Sequence, residues 1–268
     1  MKEYIRDFLS EREKIKYLRS LDEEEKFAAC RELLEKAEGA VFLGGAGVST
    51  ESGIPDFRSK DGLYRKKDKR FGKYRPEYLL SSECLHKKPE VFFAYFRANL
   101  DCRHFQPNEA HKALAELEAK GRLSGIITQN IDGLHQKAGS RNVQEIHGSA
   151  LRCYCSYCRK EYGPDFIFES QDPVPKCPEC GHMVRPDVTL YGEFLPDPAY
   201  DNAIQLLRQA DLLIIGGTSL AVGSAAQLAH IYHGKHLIIV NKGKTKLEGK
   251  ADLIFHDSIG KILDLCVH

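Results

Sequence analysis

Four groupings of residues in this chain could do chemistry. The first is Glu145-Ile146-His147-Gly148, an imidazole at the end of a short apolar stretch with a glycine that leaves room beside it. Such a histidine can take a proton near neutral pH, and a ribose hydroxyl is its obvious donor in a nucleotide site. A lone histidine is more often structural, so its claim to act as a base rests on its neighbours. The second is Gln129-Asn130-Ile131-Asp132, two amides and a carboxylate that follow the apolar run Gly125-Ile126-Ile127-Thr128. At the carboxyl end of a parallel strand they face a ligand crevice and could hydrogen-bond a ribose or a carboxamide, although an Asx-type turn uses the same residues.

The third is Gly44-Gly45-Ala46-Gly47, which empties directly from the apolar run Ala40 to Leu43. A buried strand that ends in glycines lets backbone approach a phosphate. Thr50 stands where the usual dinucleotide fingerprint wants glycine or alanine, and a plain strand-to-helix turn would also use flexible backbone. The continuation Ser49-Thr50-Glu51-Ser52-Gly53-Ile54-Pro55-Asp56-Phe57-Arg58 places a rigid turn, a carboxylate, an aromatic face and a guanidinium beside the loop. These groups suit a bound nucleotide better than a core.

The fourth is a metal pattern. Cys155-x-x-Cys158 and Cys177-x-x-Cys180, with 18 residues between the pairs, have the spacing of a structural zinc ribbon. Four thiolates close a tetrahedral site and leave no position for water or substrate, so this metal holds structure and does not react. Cys153 would break the two-residue gap, and Cys30, Cys84, Cys102 and Cys266 read as ordinary thiols.

Composition narrows the class. With 268 residues, 42% of them apolar, the chain can bury one ordinary core and a small inserted module. A net charge of +1 argues against a dedicated nucleic-acid or membrane surface. No stretch approaches the roughly 20 apolar residues of a bilayer span, and the charge-dense N-terminus resembles no targeting peptide. Nine cysteines, four of them in the paired motifs, suit a reducing compartment, and a cytoplasmic location is expected.

The elements that must position these groups follow from patterning. Residues 1 to 38 read as two amphipathic helices, the second opened by Asp22 with Glu25 and carrying Phe27, Ala28, Leu33, Leu34 and Ala37 inward. Asp61 to Tyr78, including the run Arg65-Lys66-Lys67-Asp68-Lys69-Arg70, has no sustained period and reads as a mobile loop, either a solvated face or a cover over ligand. Pro89 to Leu100 reads as an aromatic-rich helix. Another helix is expected from Pro107-Asn108 to Lys120, with His111 capping or packing. Arg185 to Pro196 is an extended, proline-bounded segment able to pair with an incoming peptide. Strands are expected at Asp211 to Gly216, His236 to Val240 and Ala251 to Phe255, each ending in small or polar residues, with a helix from Ala225 to Tyr232. The expected fold class is α/β, a parallel sheet flanked by helices. Residues 57–106 and 149–186 are inserted into it, and 39–56, 107–148 and 187–268 make the larger part.

Taken in this order, the chain resembles the sirtuins, the NAD-dependent protein lysine deacylases. The carriers are GAGVSTESGIPDFRS at 45 to 59, TQNIDGLH at 128 to 135, EIHG at 145 to 148, the two cysteine pairs, RPDVTLYGEFLP at 185 to 196, GTSL at 217 to 220 and VNKG at 240 to 243. The resemblance implies a Rossmann-like large domain, with residues 1–38 packed on it, and a small domain made of a helical module and the zinc ribbon. NAD and an acylated lysine of a protein substrate would meet in the cleft between them. It also implies that Ala46, Gly47 and Thr50 line the diphosphate and nearby ribose, and that Phe57 and Arg58 belong to a mobile cover over the nicotinamide end. Gln129, Asn130, Ile131 and Asp132 hold the ribose and seat the carboxamide. Thr218, Ser219, Asn241, Lys242, Asp257 and Ser258 match the adenosine side, and Gly45, Asp56 and Gly217 complete the cofactor set. Val188, Thr189, Leu190, Tyr191, Gly192 and Glu193 would receive the substrate peptide. His147, aided by Asn130 and Asp132, would carry the catalysis. In the implied mechanism the acyl oxygen attacks the anomeric carbon as nicotinamide leaves. His147 then deprotonates a ribose hydroxyl, and the products are free lysine, nicotinamide and an O-acyl-ADP-ribose.

Two departures bear on specificity. Family members that prefer succinyl or malonyl lysine place a Tyr and an Arg three apart, whereas Tyr95 and Arg97 are two apart here. Thr189 stands where an apolar residue is usual. Acetyl is therefore the default acyl group, and a monomer the default state. The rival readings are a protein ADP-ribosyltransferase using the same NAD site, a redox dehydrogenase, and a zinc-ribbon nucleic-acid binder.

Overall fold

The computed structural model describes residues 3–65, 68–221 and 223–268; Lys66 and Lys67 of the charge run lie outside them. Its centre is a six-stranded sheet of β1 (Ala40–Gly44), β2 (Leu123–Thr128), β3 (Val143–Glu145), β7 (Leu212–Gly216), β8 (His236–Val240) and β9 (Leu253–Phe255), in the order β3-β2-β1-β7-β8-β9. Every neighbouring pair is parallel. β1 and β7 are buried along their whole length, which is why they read as unbroken apolar runs with no alternation. The chain winds outward from β1 in one direction through β2 and β3, and in the other through β7, β8 and β9. The crevice therefore opens at the carboxyl ends of β1 and β7, where the strand order reverses.

Helices cover both faces. On one face lie Glu11–Ser20, Glu23–Lys36, Glu109–Ala119 and Ile259–Val267, whose Leu18, Leu33, Leu34, Leu114 and Ile262 pack with Phe42, Ile126 and Ile214. On the other face Asp197–Gln209 and Gly223–Ile231 bring Ala203, Leu207, Ala225 and Leu228 against Val41, Leu43, Leu213 and Ile215. The second helix opens with the expected capping box between Asp22 and Glu25. Its buried stripe, however, is Ala29, Cys30, Leu33 and Leu34, while Phe27 and Ala28 are only half-buried. Phe27 instead stacks at the rim on Phe255. The first helix is tied to the sheet edge by Lys14, a buried lysine 3.3 Å from the equally buried Asp252 and bonded to the carbonyl of Lys235.

A second sheet, antiparallel, has the order β5-β4-β6 and consists of β4 (Gly148–Cys155), β5 (Glu161–Tyr162) and β6 (Val184–Val188). It shares a core with the aromatic helix Pro89–Asn99 through Phe92, Phe93, Phe96, Ala150 and Val184. The divisions expected at 148/149 and 186/187 fall inside β4 and β6, where Gly148 pairs with Val188 and Ser149 with Asp187. Segment 61–78 is not without structure. It contains the three-ten turn Leu63–Arg65 and runs into the helical turn Pro76–Leu79, and its Leu63 and Phe71 are buried in the same aromatic core as Leu79. No helix among the described residues is long and apolar enough to cross a membrane.

Candidate active site

The carboxyl ends of β1, β2 and β7 converge on one crevice. After β1 the chain makes two three-ten turns, Ala46–Val48 and Thr50–Ser52, packed hard against the end of β7. A Cβ at Gly47 would lie 2.7 Å from the Gly217 carbonyl oxygen, so only glycine fits this crossing. The Gly47 N–H is spent on that carbonyl at 2.8 Å, so its part in a phosphate loop is close approach, not donation. The N–H groups at the first positions of the turns, Ala46 and Thr50, have no partner within them. The Thr50 hydroxyl donates to the Gly47 carbonyl at 2.9 Å.

At the end of β2, the amide of Gln129 donates to the Gly44 carbonyl at 3.2 Å and to the Thr218 hydroxyl at 3.0 Å, which joins β1, β2 and the 217–220 turn. Asn130 and Asp132 meet on a residue absent from the expected site set, Ser49. Its hydroxyl donates to Asp132 Oδ2 at 2.6 Å and accepts from Asn130 Nδ2 at 3.0 Å. The Leu134 N–H donates to Asp132 Oδ1 at 3.0 Å. Burial raises the Asp132 carboxyl above its ordinary range in spite of these donors. Ile131 belongs to the neighbouring apolar core, and its carbonyl accepts from the Ala150 N–H at 2.8 Å.

His147 lies at the join of the two sheets. Its Nδ1 is 3.0 Å from the Gln129 carbonyl oxygen. A carbonyl can only accept, so Nδ1 carries the hydrogen and Nε2 keeps a free lone pair. Burial pushes its pKa below the ordinary imidazole value, which leaves the ring neutral and basic at Nε2 near pH 7. Nε2 faces the Ser224 hydroxyl at 3.5 Å, another residue that the sequence reading did not single out. Gly148, at φ +75°, is obligatory: a Cβ there would overlap the Asp187 carbonyl oxygen at 2.0 Å.

The segment after β6 runs past His147, with the Thr189 N–H donating to the His147 carbonyl at 3.0 Å. Val188 and Leu190 point into the core, while Tyr191 and Gly192 are exposed. Glu193 is held by Arg185 and by the Leu190 N–H, the latter at 2.9 Å, and Arg185 keeps its carboxyl below the ordinary range although burial acts against this. Its role here is to brace the turn. On the cofactor side, Asp56 Oδ1 accepts the N–H groups of Arg58 and Ser59 at 3.0 and 2.8 Å, and the Phe57 ring lies 5.4 Å from Tyr64. Across the crevice, after β8, Asn241 Nδ2 donates to the Gly243 carbonyl at 2.7 Å and Lys242 is exposed, as is Ser219 in the turn after β7. Asp257 pairs with Lys261 at 2.6 Å, and Ser258 begins the last helix. Neutral amides, hydroxyls and one carboxylate around a glycine crossing fit a dinucleotide with two riboses and a carboxamide.

The metal cluster is compact. The sulfurs of Cys155, Cys158, Cys177 and Cys180 lie within 4.8 Å of one another, with Cys155–Cys180 at 3.4 Å and Cys158–Cys177 at 3.7 Å. Zinc–thiolate bonds of about 2.3 Å give sulfur–sulfur edges of about 3.8 Å in a tetrahedron, so the set fits zinc. Cys153 is outside it: its thiol is bonded to the carbonyls of Tyr162 and Gly163, and burial pushes its pKa up to about 12. Because the β4–β6 ladder ends at the cluster, chelation of the metal, or Cys177→Ser, is expected to melt the antiparallel sheet and abolish turnover while the parallel sheet keeps its far-UV signature. Metal content and turnover measured together on the same samples check this; full activity in metal-free protein would contradict it.

Comparison with known proteins agrees with this geometry. Residues 45–224 match the family model described as the Sir2 family. The chain is 50% identical over 241 residues to an NAD-dependent protein deacetylase of Clostridium perfringens, covering 90% of this chain and 98% of that one. It is 44% identical to the protein of the same description in Clostridium acetobutylicum, covering 91% and 98%. Among solved structures it is similar to a Sir2 protein with a p53 peptide and NAD+, at TM-score 0.79 and 35% identity over 91% of this chain and 96% of that one. A Sir2 homologue in complex with NAD superposes at TM-score 0.80 and 38% identity, over 92% and 93%. With the family model spanning more than half of its length and relatives matched almost end to end, the chain belongs to the Sir2 family.

Proposed function

We propose that this protein removes acetyl groups from lysine side chains of proteins, with NAD as co-substrate. The observation that carries the reading is a neutral imidazole whose Nδ1 is fixed by the Gln129 carbonyl, leaving Nε2 basic, while the Gln129 side chain bonds the end of β1 and the next residues, Asn130 and Asp132, form a hydrogen-bonded unit with Ser49. When bound, NAD supplies an anomeric carbon from which nicotinamide departs. Gln129 and Thr218 fix the base of the crevice. Ser49, Asn130 and Asp132 form one hydrogen-bonded unit that holds the ribose and carboxamide end, so little reorganisation is needed as charge develops. His147 Nε2 accepts the proton of a ribose hydroxyl, which lets the acyl group pass to the sugar. The parts 39–56, 107–148 and 187–268 act as the nucleotide lobe, with 57–106 and 149–186 as the second lobe that walls the acyl-lysine. The metal braces this second lobe.

The acyl group is neutral and short. Tyr95 is buried edge-on against Phe71 at 5.1 Å, whereas Arg97 points to the ribbon, donating to the carbonyls of Ile167 at 2.8 Å and Asp172 at 2.7 Å. The guanidinium is therefore unavailable to a carboxylate on the acyl chain. A peptide panel assayed for nicotinamide release is expected to show acetyl-lysine turned over at least tenfold faster than succinyl-lysine; burying one unpaired carboxylate costs more than the roughly 1.4 kcal/mol that a factor of ten requires. Label from NAD is expected in free O-acetyl-ADP-ribose. Label retained on protein would make the chain an ADP-ribosyltransferase, and preference for succinyl-lysine would overturn the assignment of Arg97.

A further inference from the structure

Segment 56–65 is a self-contained unit. The Leu63 N–H donates to the Asp56 carbonyl at 2.7 Å and the Tyr64 N–H to the Phe57 carbonyl at 3.0 Å, so Arg58 and Tyr64 leave it on the same side. There they meet Tyr191. The Tyr64 and Tyr191 hydroxyls are 2.9 Å apart, Arg58 Nη2 donates to the Tyr191 hydroxyl at 3.4 Å, and the Arg58 guanidinium carbon lies 5.8 Å from the centre of the Tyr64 ring. Among the described residues the Arg58 guanidinium has no ion pair and no other hydrogen bond. Burial of Tyr64, together with the neighbouring phenol, holds its pKa far above the ordinary value, so the Tyr64 hydroxyl keeps its proton across the working pH range.

Tyr191 is fixed from its other side by backbone. Its N–H donates to the Leu80 carbonyl and its carbonyl accepts the Ser82 N–H, both at 3.0 Å, in a parallel bridge between Ser81 and Tyr191. One side chain thus ties the segment assigned to NAD to the segment assigned to the peptide. We propose that the Tyr191 hydroxyl is a positioning residue that couples the two ligands: a peptide seated along 188–192 steadies Tyr191, which holds Arg58 and Tyr64 in place over the bound nucleotide. By linkage the effect is reciprocal, and peptide must tighten nucleotide binding by the same factor as nucleotide tightens peptide.

This rests on the Sir2-type reading of the site, and the test separates the two. ADP-ribose, which has already lost nicotinamide and cannot react, is titrated calorimetrically into the full chain with and without an acetyl-lysine peptide. Peptide is expected to tighten ADP-ribose roughly fivefold in the wild type, the value of about one net hydrogen bond. In Tyr191→Phe the factor falls to near one, because ring and backbone remain but the hydroxyl is gone. Tyr64→Phe lowers the factor in part, because the Arg58 bond to the Tyr191 hydroxyl remains, and the double variant loses no more than Tyr191→Phe alone. An undiminished coupling factor in Tyr191→Phe, or equal weakening of both ligands with coupling preserved, overturns the proposal. A wild type that binds no ADP-ribose overturns the underlying reading instead.

Discussion

His147→Ala is expected to lower the rate of acyl transfer by about 10²–10⁴, the usual range for a general base, while NAD affinity changes little. The structure explains why the two separate. The substitution leaves the backbone bond from the Thr189 N–H to the His147 carbonyl, so segment 188–193 keeps its place. It also leaves the Gln129 side chain on Gly44 and Thr218, and Ser49 on Asp132. What it removes is the donor to the Gln129 carbonyl and the lone pair at Nε2. The first loss costs about 1–3 kcal/mol for a buried acceptor left without a partner, which a chain of this size survives. The second is the chemistry. Because burial holds the His147 pKa below the ordinary value of 6.5, the ring stays basic to lower pH than a free imidazole, and the acid limb of the pH–rate profile is expected below 6.5 in the wild type. Single-turnover measurements with NAD and acetyl-peptide, set beside NAD binding, check both statements. Proportional loss of binding and turnover would make His147 structural.

The parts of this site that are legible in the sequence are those whose physics is local. β1 and β7 are apolar throughout because both faces are covered, and a buried parallel strand leaves that mark wherever it occurs. The cysteine pairs are legible because a metal demands a spacing. The Asn108 cap is legible too, and there His111 does both things expected of it: its Nδ1 lies 3.0 Å from Asn108 Oδ1 and its ring is fully buried. What escaped the sequence depends on partners distant along the chain. Nothing around Ser49 sets it apart from Thr50 or Ser52; only the return of β2, 83 residues later, brings Asp132 to its hydroxyl. Glu193 carries no sign that Arg185 will claim it. The helix Asp197–Gln209 goes unnoticed although Tyr200, Ala203, Ile204 and Leu207 recur at helical spacing and pack against the sheet, so its signal is present in the sequence. Segment 61–78 lacks period because Leu63 and Phe71 anchor it singly into an aromatic core that other segments build.

Beneath the Asp132 turn lies a pair of histidines whose expected effect on stability is as large as that of His147 on rate. The rings of His111 and His135 are 4.7 Å apart, with Phe42 6.1 Å from His135. Among the described residues neither nitrogen of His135 has a partner, nor has His111 Nε2. Burial pushes His111 down to about 4, and burial together with His111 pushes His135 down to about 3, so both are neutral in the fold at pH 7. In the unfolded chain both titrate near 6.5. Their contribution to stability is therefore complete above 6.5 and is lost as pH falls towards 4, because over that interval the unfolded chain takes up protons that the folded chain refuses. Two protons give a slope of about 2.7 kcal/mol per pH unit, a severe loss against a total of about 5–15 kcal/mol. The carboxylates held low by their partners, such as Glu32 and Asp101, lose their contribution only below the ordinary carboxylate range, so they add nothing to the slope between 6.5 and 4.5. His147 shares the same direction, and Asp132, held high, works against it. Urea unfolding at a series of pH values should show this slope in the wild type. His135→Leu, which keeps the site apolar, and His111→Gln, which keeps a partner for Asn108, should each remove about 1.4 kcal/mol per pH unit from it. Unchanged slopes in both variants would mean that the pair is protonated or hydrated in the native protein. Reduced slopes would mean that the two buried imidazoles stay neutral in the fold beside the helix Leu134–Lys137, whose opening residue donates its N–H to Asp132.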